Sequence, residues 1–311
     1  MINTPYKELE KSNNQMHPGQ QFLIFCAIFI GILIVGNIIG VGIITALYGL
    51  KTVTALGSIN TTVPHFATAL WILQITGTTF PIFAAPVFFA LVIVRDPQDY
   101  IKPSFSFPWG LILLILAIMF ISNPIIEFLS NINQKMVLPH WLKWMRESED
   151  TNQKLMDAML QMKTIWNVIA DVLVVGLLTA IVEEFMFRGV IQTIFVRWTK
   201  NIHVAIWVTA ILFSAFHMEF FGFLPRLLLG VLFGYFVAWS GSIWTSVWAH
   251  FLNNGAAVVV TYLFQQKLIK MNPDDQHVFN YTAYLVSTVI LLSLMFIYRK
   301  IATENQQIVE D

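Results

Sequence analysis

Charged residues in this chain fall in clusters separated by long apolar runs. No Asp, Glu, Lys or Arg lies between Lys11 and Lys51, between Lys51 and Arg95, or between Lys102 and Glu127. The same holds from Lys200 to Glu219, from Arg226 to Lys267 and from Asp275 to Arg299. A helix needs about 20 mostly apolar residues to cross a bilayer core. The stretch from Arg226 to Lys267 is long enough for two spans, with Ser240-Gly241-Ser242 as the break. The pattern predicts eight helices, roughly over 21–49, 68–94, 105–128, 165–197, 201–218, 223–239, 242–265 and 278–298.

Composition agrees. Only 12% of the 311 residues are charged and 57% are apolar, against about 25% charged in a soluble domain. The expected fold class is an all-α polytopic membrane protein, a bundle of about eight transmembrane helices surrounded by membrane lipid. Cys26 is the only cysteine, which excludes a disulfide scaffold. Lys+Arg and Asp+Glu are both 18, with no basic stripe for nucleic acid. The apolar run after residue 20 is too long for a signal-peptide core and reads as a retained first helix. The domain reading is a polar N-terminal arm over 1–20, a single integral membrane domain over 21–300 and a polar tail over 301–311.

Residues 129–163 form the one long connection. Lys143–Met162 carries both charge signs and apolar residues, and reads either as an amphipathic helix lying on the membrane or as a polar loop. Basic residues favour both termini in the cytoplasm. On that orientation the inner segments carry Lys7, Lys11, Arg95, Lys102, Arg197, Lys200, Arg299 and Lys300. The short outer loops carry Lys51, Arg226, Lys267 and Lys270. The 129–163 loop, with five more basic residues, would lie outside. Gly36-x-x-x-Gly40 and Gly230-x-x-x-Gly234 suit close helix approach. Pro81 and Pro86 suit a kinked helix. Asn37 and Gln74 read as interhelical glue.

The fourth predicted helix breaks the apolar pattern with Asp171, Glu183, Glu184 and Arg188. A charge at a helix centre costs about 2.5–3.5 kcal/mol on the insertion scale, so pairing, water or protonation must relieve part of it. At about 100° per residue, Glu184 and Arg188 lie about 40° apart and can pair. Glu183 points about 100° away from Glu184 and lacks that partner. It belongs toward the bundle interior or a wet cavity, where a carboxylate suits general-base work. Asp171, near the helix start, fits an interfacial position.

Two later helices carry single histidines, Phe213-Ser-Ala-Phe-His217 and His250-Phe-Leu-Asn-Asn254. A lone histidine in an apolar helix is usually a satisfied core residue. Two of them plus an unpaired glutamate, in a chain poor in polar groups, can converge on a water. Ser214 and Ser246 sit one turn from these histidines, but hydroxyls at that spacing more often bond backbone carbonyls.

The set Glu183-Glu184-x-x-x-Arg188-Gly189, Phe213-x-x-x-His217, and Gly241-Ser242-Ile243-Trp244 leading to His250-x-x-x-Asn254 resembles the CPBP (ABI) intramembrane protease family, the group of the type II CAAX prenyl endopeptidases. The resemblance covers about 165–260. It implies an eight-helix bundle around a water-filled polar cavity and a glutamate-dependent intramembrane endopeptidase without metal or other cofactor. It implies Glu183 as general base, His217 as the residue that holds and polarises the water, His250 and Asn254 as the oxyanion site, and Glu184 with Arg188 as a supporting pair. The implied partner is a membrane-associated peptide or lipidated protein.

Two other readings stay open at this point. Glu183, His217 and His250 are an acceptable zinc set, although the sequence has no HExxH. Intramembrane carboxylates and histidines also occur in transporters, although no repeated halves are visible here.

Overall fold

The computed structural model describes residues 16–270 and 280–310. Most of the polar arm expected over 1–20, with Lys7 and Lys11, lies outside the described residues. The described chain is helical, with no strand among the described residues. Seven helices are long and apolar enough to cross a membrane. They are α1 (Pro18–Tyr48), α3 (Phe66–Ile93), α5 (Gly110–Gln134), α7 (Ile165–Thr199), α9 (Phe223–Ser240), α10 (Ile243–Gln265) and α11 (Tyr281–Glu310). Between them lie α2 (Leu50–Gly57), α4 (Pro97–Ile101), α6 (Lys143–Met159) and α8 (Ile202–Phe216).

α8, the helix expected over 201–218, is the shortest of the eight apolar helices. Its 15 residues rise only about 22 Å at 1.5 Å each, against a hydrocarbon core of about 30 Å. Asn201 caps its start by accepting from His203 N and Val204 N, and Met218 ends the segment with φ of 54°. The helix expected over 105–128 is displaced to 110–134. Pro103 and Pro108 hold the preceding segment out of helical geometry. At the far end Asn133 donates to Phe220 O at 2.8 Å and accepts from Leu224 N at 2.6 Å, tying α5 to the α8–α9 connection. The tail expected from 301 continues the helix of α11 to Glu310. Lys143–Met159 is a helix, not a loop.

Two hydrophobic cores hold the bundle. One joins α1, α3, α4 and α7 through Phe25, Phe89, Tyr100, Phe187 and Ile194. The other joins α5, α9, α10 and α11 through Leu111, Ile115, Phe233, Phe236 and Tyr298. α1 buries Gly36 and Gly40 against its neighbours and leaves Leu23, Ile30, Ile34, Ile38 and Leu47 exposed, as a lipid-facing helix does. A Cβ at Gly36 would collide with Thr76 O, and one at Gly234 would meet Ile206 Cγ2 at 2.8 Å. Asn37 donates to Leu33 O and to Gly77 O across the α1–α3 contact.

α7 is continuous but not uniform. π-helical turns over Val172–Leu178 and Phe185–Ile191 flank the α-helical turn Thr179–Glu184. Each inserts an extra residue and changes the helix face presented to the neighbours, a device common at functional sites. The Pro-containing α3 likewise has π-helical turns over Ile75–Thr79 and Phe89–Ile93, on either side of Pro81 and Pro86.

Candidate active site

The charged segment of α7 faces α9 and α10, between the two cores. Glu184 and Arg188 are fully buried and pair at 2.6 Å. A buried ion pair costs desolvation and needs further partners. They are present: Arg188 Nη2 donates to Gly230 O at 3.1 Å, and its guanidinium lies 4.3 Å from the Phe213 ring centroid and 5.2 Å from that of Phe233. The absence of a side chain at Gly230 also brings α9 against Ala210 of α8.

His250 joins this pair from α10. Its Nδ1 is 2.9 Å from Glu184 Oε1, its ring stacks on Phe233 at 5.0 Å, and Phe213 meets it edge-on at 5.8 Å. A carboxylate bonded to arginine only accepts, so Nδ1 carries the hydrogen. The opposite nitrogen, Nε2, lies 3.8 Å from Glu183 Oε2. His217 approaches the same oxygen, with Nε2 at 4.0 Å. Its Nδ1 is 2.9 Å from Phe213 O, to which it donates, so in the neutral ring Nε2 offers a lone pair.

Glu183, His217, His250 and Asn254 all line one cavity of about 480 Å³. Asn254 donates to Val175 O at 3.4 Å and accepts from Asn253 Nδ2 at 3.1 Å. Glu184 and Arg188 lie behind the cavity wall, not on it, and Asp171 does not line it either. Ser214 and Ser246 donate to the carbonyls of Phe223 and Ile243. Among the described residues no group of three His, Cys, Asp or Glu side chains is arranged to hold a metal ion.

The lining holds residues the sequence reading did not place there. Asn253 is one; its position three residues after His250 was a usable signal. Gln74, read as glue, lines the cavity with Trp71 and Thr79 of α3. Met156, Met159 and Leu160 of the amphipathic segment close another side, and nothing in the local sequence announces that. α6 is held there by Glu149, which accepts from Phe221 N at 3.1 Å, and by Arg146, 3.3 Å over the Phe221 ring. Burial pushes the Glu149 carboxyl up from its ordinary value. Glu219 and Arg226, also lining the cavity, form an ion pair.

The start of α10, which sets the height of His250 and Asn254, is fixed by a short extended segment. Gly241 takes φ of 73° to end α9, a value that favours glycine. Ser242 then caps α10 and donates to Ser104 O. Ile243 N donates to Lys102 O at 3.0 Å and Trp244 Nε1 to Pro103 O at 2.8 Å. Lys102 itself is buried against α7, donating to Thr193 Oγ1 at 2.7 Å, and burial pushes its amine down to about 7.

Comparison with known proteins locates this arrangement. Residues 165–256 match a family described as type II CAAX prenyl endopeptidase Rce1-like, a protease family. A protein of Bacillus subtilis (strain 168), named "Uncharacterized protein YpbD", is 26% identical over 114 residues. The match covers 35% of this chain and 54% of that protein, so the chain spans about half of the relative's length. No solved structure matches the chain.

Proposed function

We propose that this chain, whose residues 165–256 match the Rce1-like type II CAAX prenyl endopeptidase family, is an intramembrane endopeptidase that hydrolyses a peptide bond with glutamate-activated water. One observation carries the reading. Glu183 Oε2 lies 4.0 Å from His217 Nε2 and 3.8 Å from His250 Nε2 inside a cavity. Both separations exceed a direct hydrogen bond, and a water between the three groups reaches all of them.

The roles follow from the donor and acceptor directions. Glu183 takes a proton from the water as its oxygen attacks the carbonyl carbon of the peptide. The lone pair of His217 Nε2 accepts the second water hydrogen and fixes the water's orientation. The carbonyl oxygen becomes an oxyanion facing Asn254 Nδ2, whose N–H is a donor in every protonation state. His250 adds a second donor through Nε2 as the imidazolium, with the Glu184 carboxylate offsetting its charge. The C–N bond then breaks as the proton held by Glu183 passes to the leaving amine. Removing one oxyanion donor costs on the order of 10²–10³ in kcat in a well-studied protease. Glu184 and Arg188 support His250 from behind the wall.

The substrate class is a membrane-associated or lipidated peptide. The apolar lining from Trp71, Met156, Met159, Leu160 and Val258 fits such a chain. With α8 counted as an eighth, shorter crossing, both termini face the cytoplasm on this reading, as the excess of Lys and Arg in the inner segments favours.

Membranes carrying Glu183→Gln in place of the natural chain provide the test. Proteomics of those membranes is expected to find one or more uncut proteins absent from wild type. Full biological function in Glu183→Gln would favour transport or scaffolding instead. Loss of cleavage in strong chelators, restored by zinc, would favour the zinc reading.

A further inference from the structure

Asn253 precedes the proposed oxyanion residue Asn254 and, like it, lines the cavity. Consecutive helix positions point about 100° apart, so both reach the same space only because they sit at its edge on either side. Their side chains bond each other, with Asn253 Nδ2 donating to Asn254 Oδ1 at 3.1 Å.

We propose that Asn253 is a positioning residue that fixes the amide of Asn254 with its nitrogen, not its oxygen, toward the reacting carbonyl. A carboxamide has an acceptor end and a donor end of nearly the same shape, and rotation by 180° about its last bond exchanges them. Only the donor end stabilises an oxyanion; the acceptor end repels it. Two contacts select the productive rotamer. Val175 O, in the first π-helical turn of α7, accepts from Asn254 Nδ2 at 3.4 Å. Asn253 binds the opposite end.

The Val175 contact is long and leaves Asn254 weakly oriented by itself. The donation from Asn253 supplies the missing preference, because a flipped amide would set two N–H groups against each other. One hydrogen of Asn254 Nδ2 goes to Val175 O. The other remains for the substrate oxygen. This inference rests on the reading of Asn254 as an oxyanion donor.

The experiment is a double-mutant cycle on the full-length protein in detergent micelles. The probe is a quenched fluorogenic peptide with a farnesylated cysteine four residues from its C-terminus. Asn253→Leu keeps the approximate side-chain size and removes the donor. It is expected to lower kcat by roughly tenfold or more, toward the loss from removing an oxyanion donor, with KM changed by less than about twofold. In an Asn254→Ala background the same substitution is expected to cost less than about twofold in kcat, since the amide it positions is gone. Asn253→Asp, also close in size but acceptor-only in its ionised form, is expected to show the same kcat loss and covers the case in which the leucine variant fails to fold.

Unchanged kcat in Asn253→Leu or Asn253→Asp, with Asn254→Ala impaired, would overturn this inference alone. So would an undiminished further loss in the Asn254→Ala background, or a rise in KM at constant kcat. Wild-type kcat in Asn254→Ala would overturn the oxyanion reading and this inference with it.

Discussion

His250 Nδ1 lies 2.9 Å from Glu184 Oε1, and this bond links a buried ion pair to the cavity wall in front of it. Glu184 Oε1 also receives Arg188 Nη1 at 2.6 Å. A chain of charge-assisted bonds therefore runs from α9 backbone through Arg188 and Glu184 to the imidazole ring. The ring's other nitrogen faces the cavity. Such a network is worth most when every member is satisfied, so damage behind the wall is felt at its front.

The two adjacent glutamates should respond differently to truncation. Glu184→Ala leaves Arg188 buried without its carboxylate, and breaking a buried pair costs about 3–5 kcal/mol. Arg188→Ala strands Glu184 in the same way. Glu183 lines the cavity and has no buried arginine depending on it, so Glu183→Ala is expected to abolish cleavage while keeping a thermal midpoint near wild type. Thermal unfolding and peptide cleavage measured on the three variants in one detergent give the comparison. Equal loss of stability in all three would overturn this division of roles.

Lys102 predicts a pH-dependent stability outside the membrane. Its amine sits at about 7 when folded, below its ordinary 10.5. Between these values the unfolded chain binds more protons than the folded one, so stability rises with pH. The contribution is fully present above 10.5 and is lost as pH falls to about 7. Lys102→Met should flatten this slope while keeping the Ile243 N bond to Lys102 O, which is backbone. Thermal midpoints from about pH 7 to 10.5, the window between the two values, read the effect. An unchanged slope in the variant would show that Lys102 is not its source.

The sequence made some of this arrangement readable and hid the rest for physical reasons. The spans follow from charge-free runs because an unpaired charge in lipid is expensive. The Glu184–Arg188 contact follows from helical spacing alone. The end of α8 at Phe216 is less legible, because hydropathy does not register the left-handed Met218 that follows it. The π-helical turns around Glu183 and Glu184 were invisible, since an inserted residue in a uniformly apolar helix leaves no periodic mark. Met156 and Met159 were legible as one face of an amphipathic helix. Their place in the cavity depends on Glu149 and Arg146 reaching the loop at Phe221, a contact 72 residues away in sequence.

Close packing of α1 on α3 predicts opposite outcomes for two glycines of one helix. An alanine Cβ at Gly36 would overlap Thr76 O, a backbone atom that cannot rotate away, and would sit 3.2 Å from Pro81 Cγ. Gly36→Ala should destabilise by about 1–3 kcal/mol through overpacking. At Gly42 nothing lies within 4 Å of the new carbon. Gly42→Ala should stabilise by up to about 0.8–1.0 kcal/mol through helix propensity. Thermal midpoints of the pair test this, and a stabilised Gly36→Ala would show that the helices separate without cost.

Met156 and Met159 lie outside the matched 165–256 domain, yet they share the cavity with Glu183. A methionine wall binds apolar groups of varied shape because its unbranched side chain adapts. Neither residue bonds Glu183 or the histidines. Their truncation should therefore weaken substrate binding and leave the chemical step alone. Each buried side chain of this size contributes at most about 1.5–3 kcal/mol, and Met156 is 40% exposed. Met156→Ala is accordingly expected to raise KM by roughly threefold, and Met159→Ala, on the less exposed position, by about tenfold, both at near-wild-type kcat. Steady-state kinetics with a fluorogenic peptide carrying a farnesylated cysteine separate the two parameters. A fall in kcat at constant KM would place these methionines in support of the catalytic groups instead of in the substrate wall.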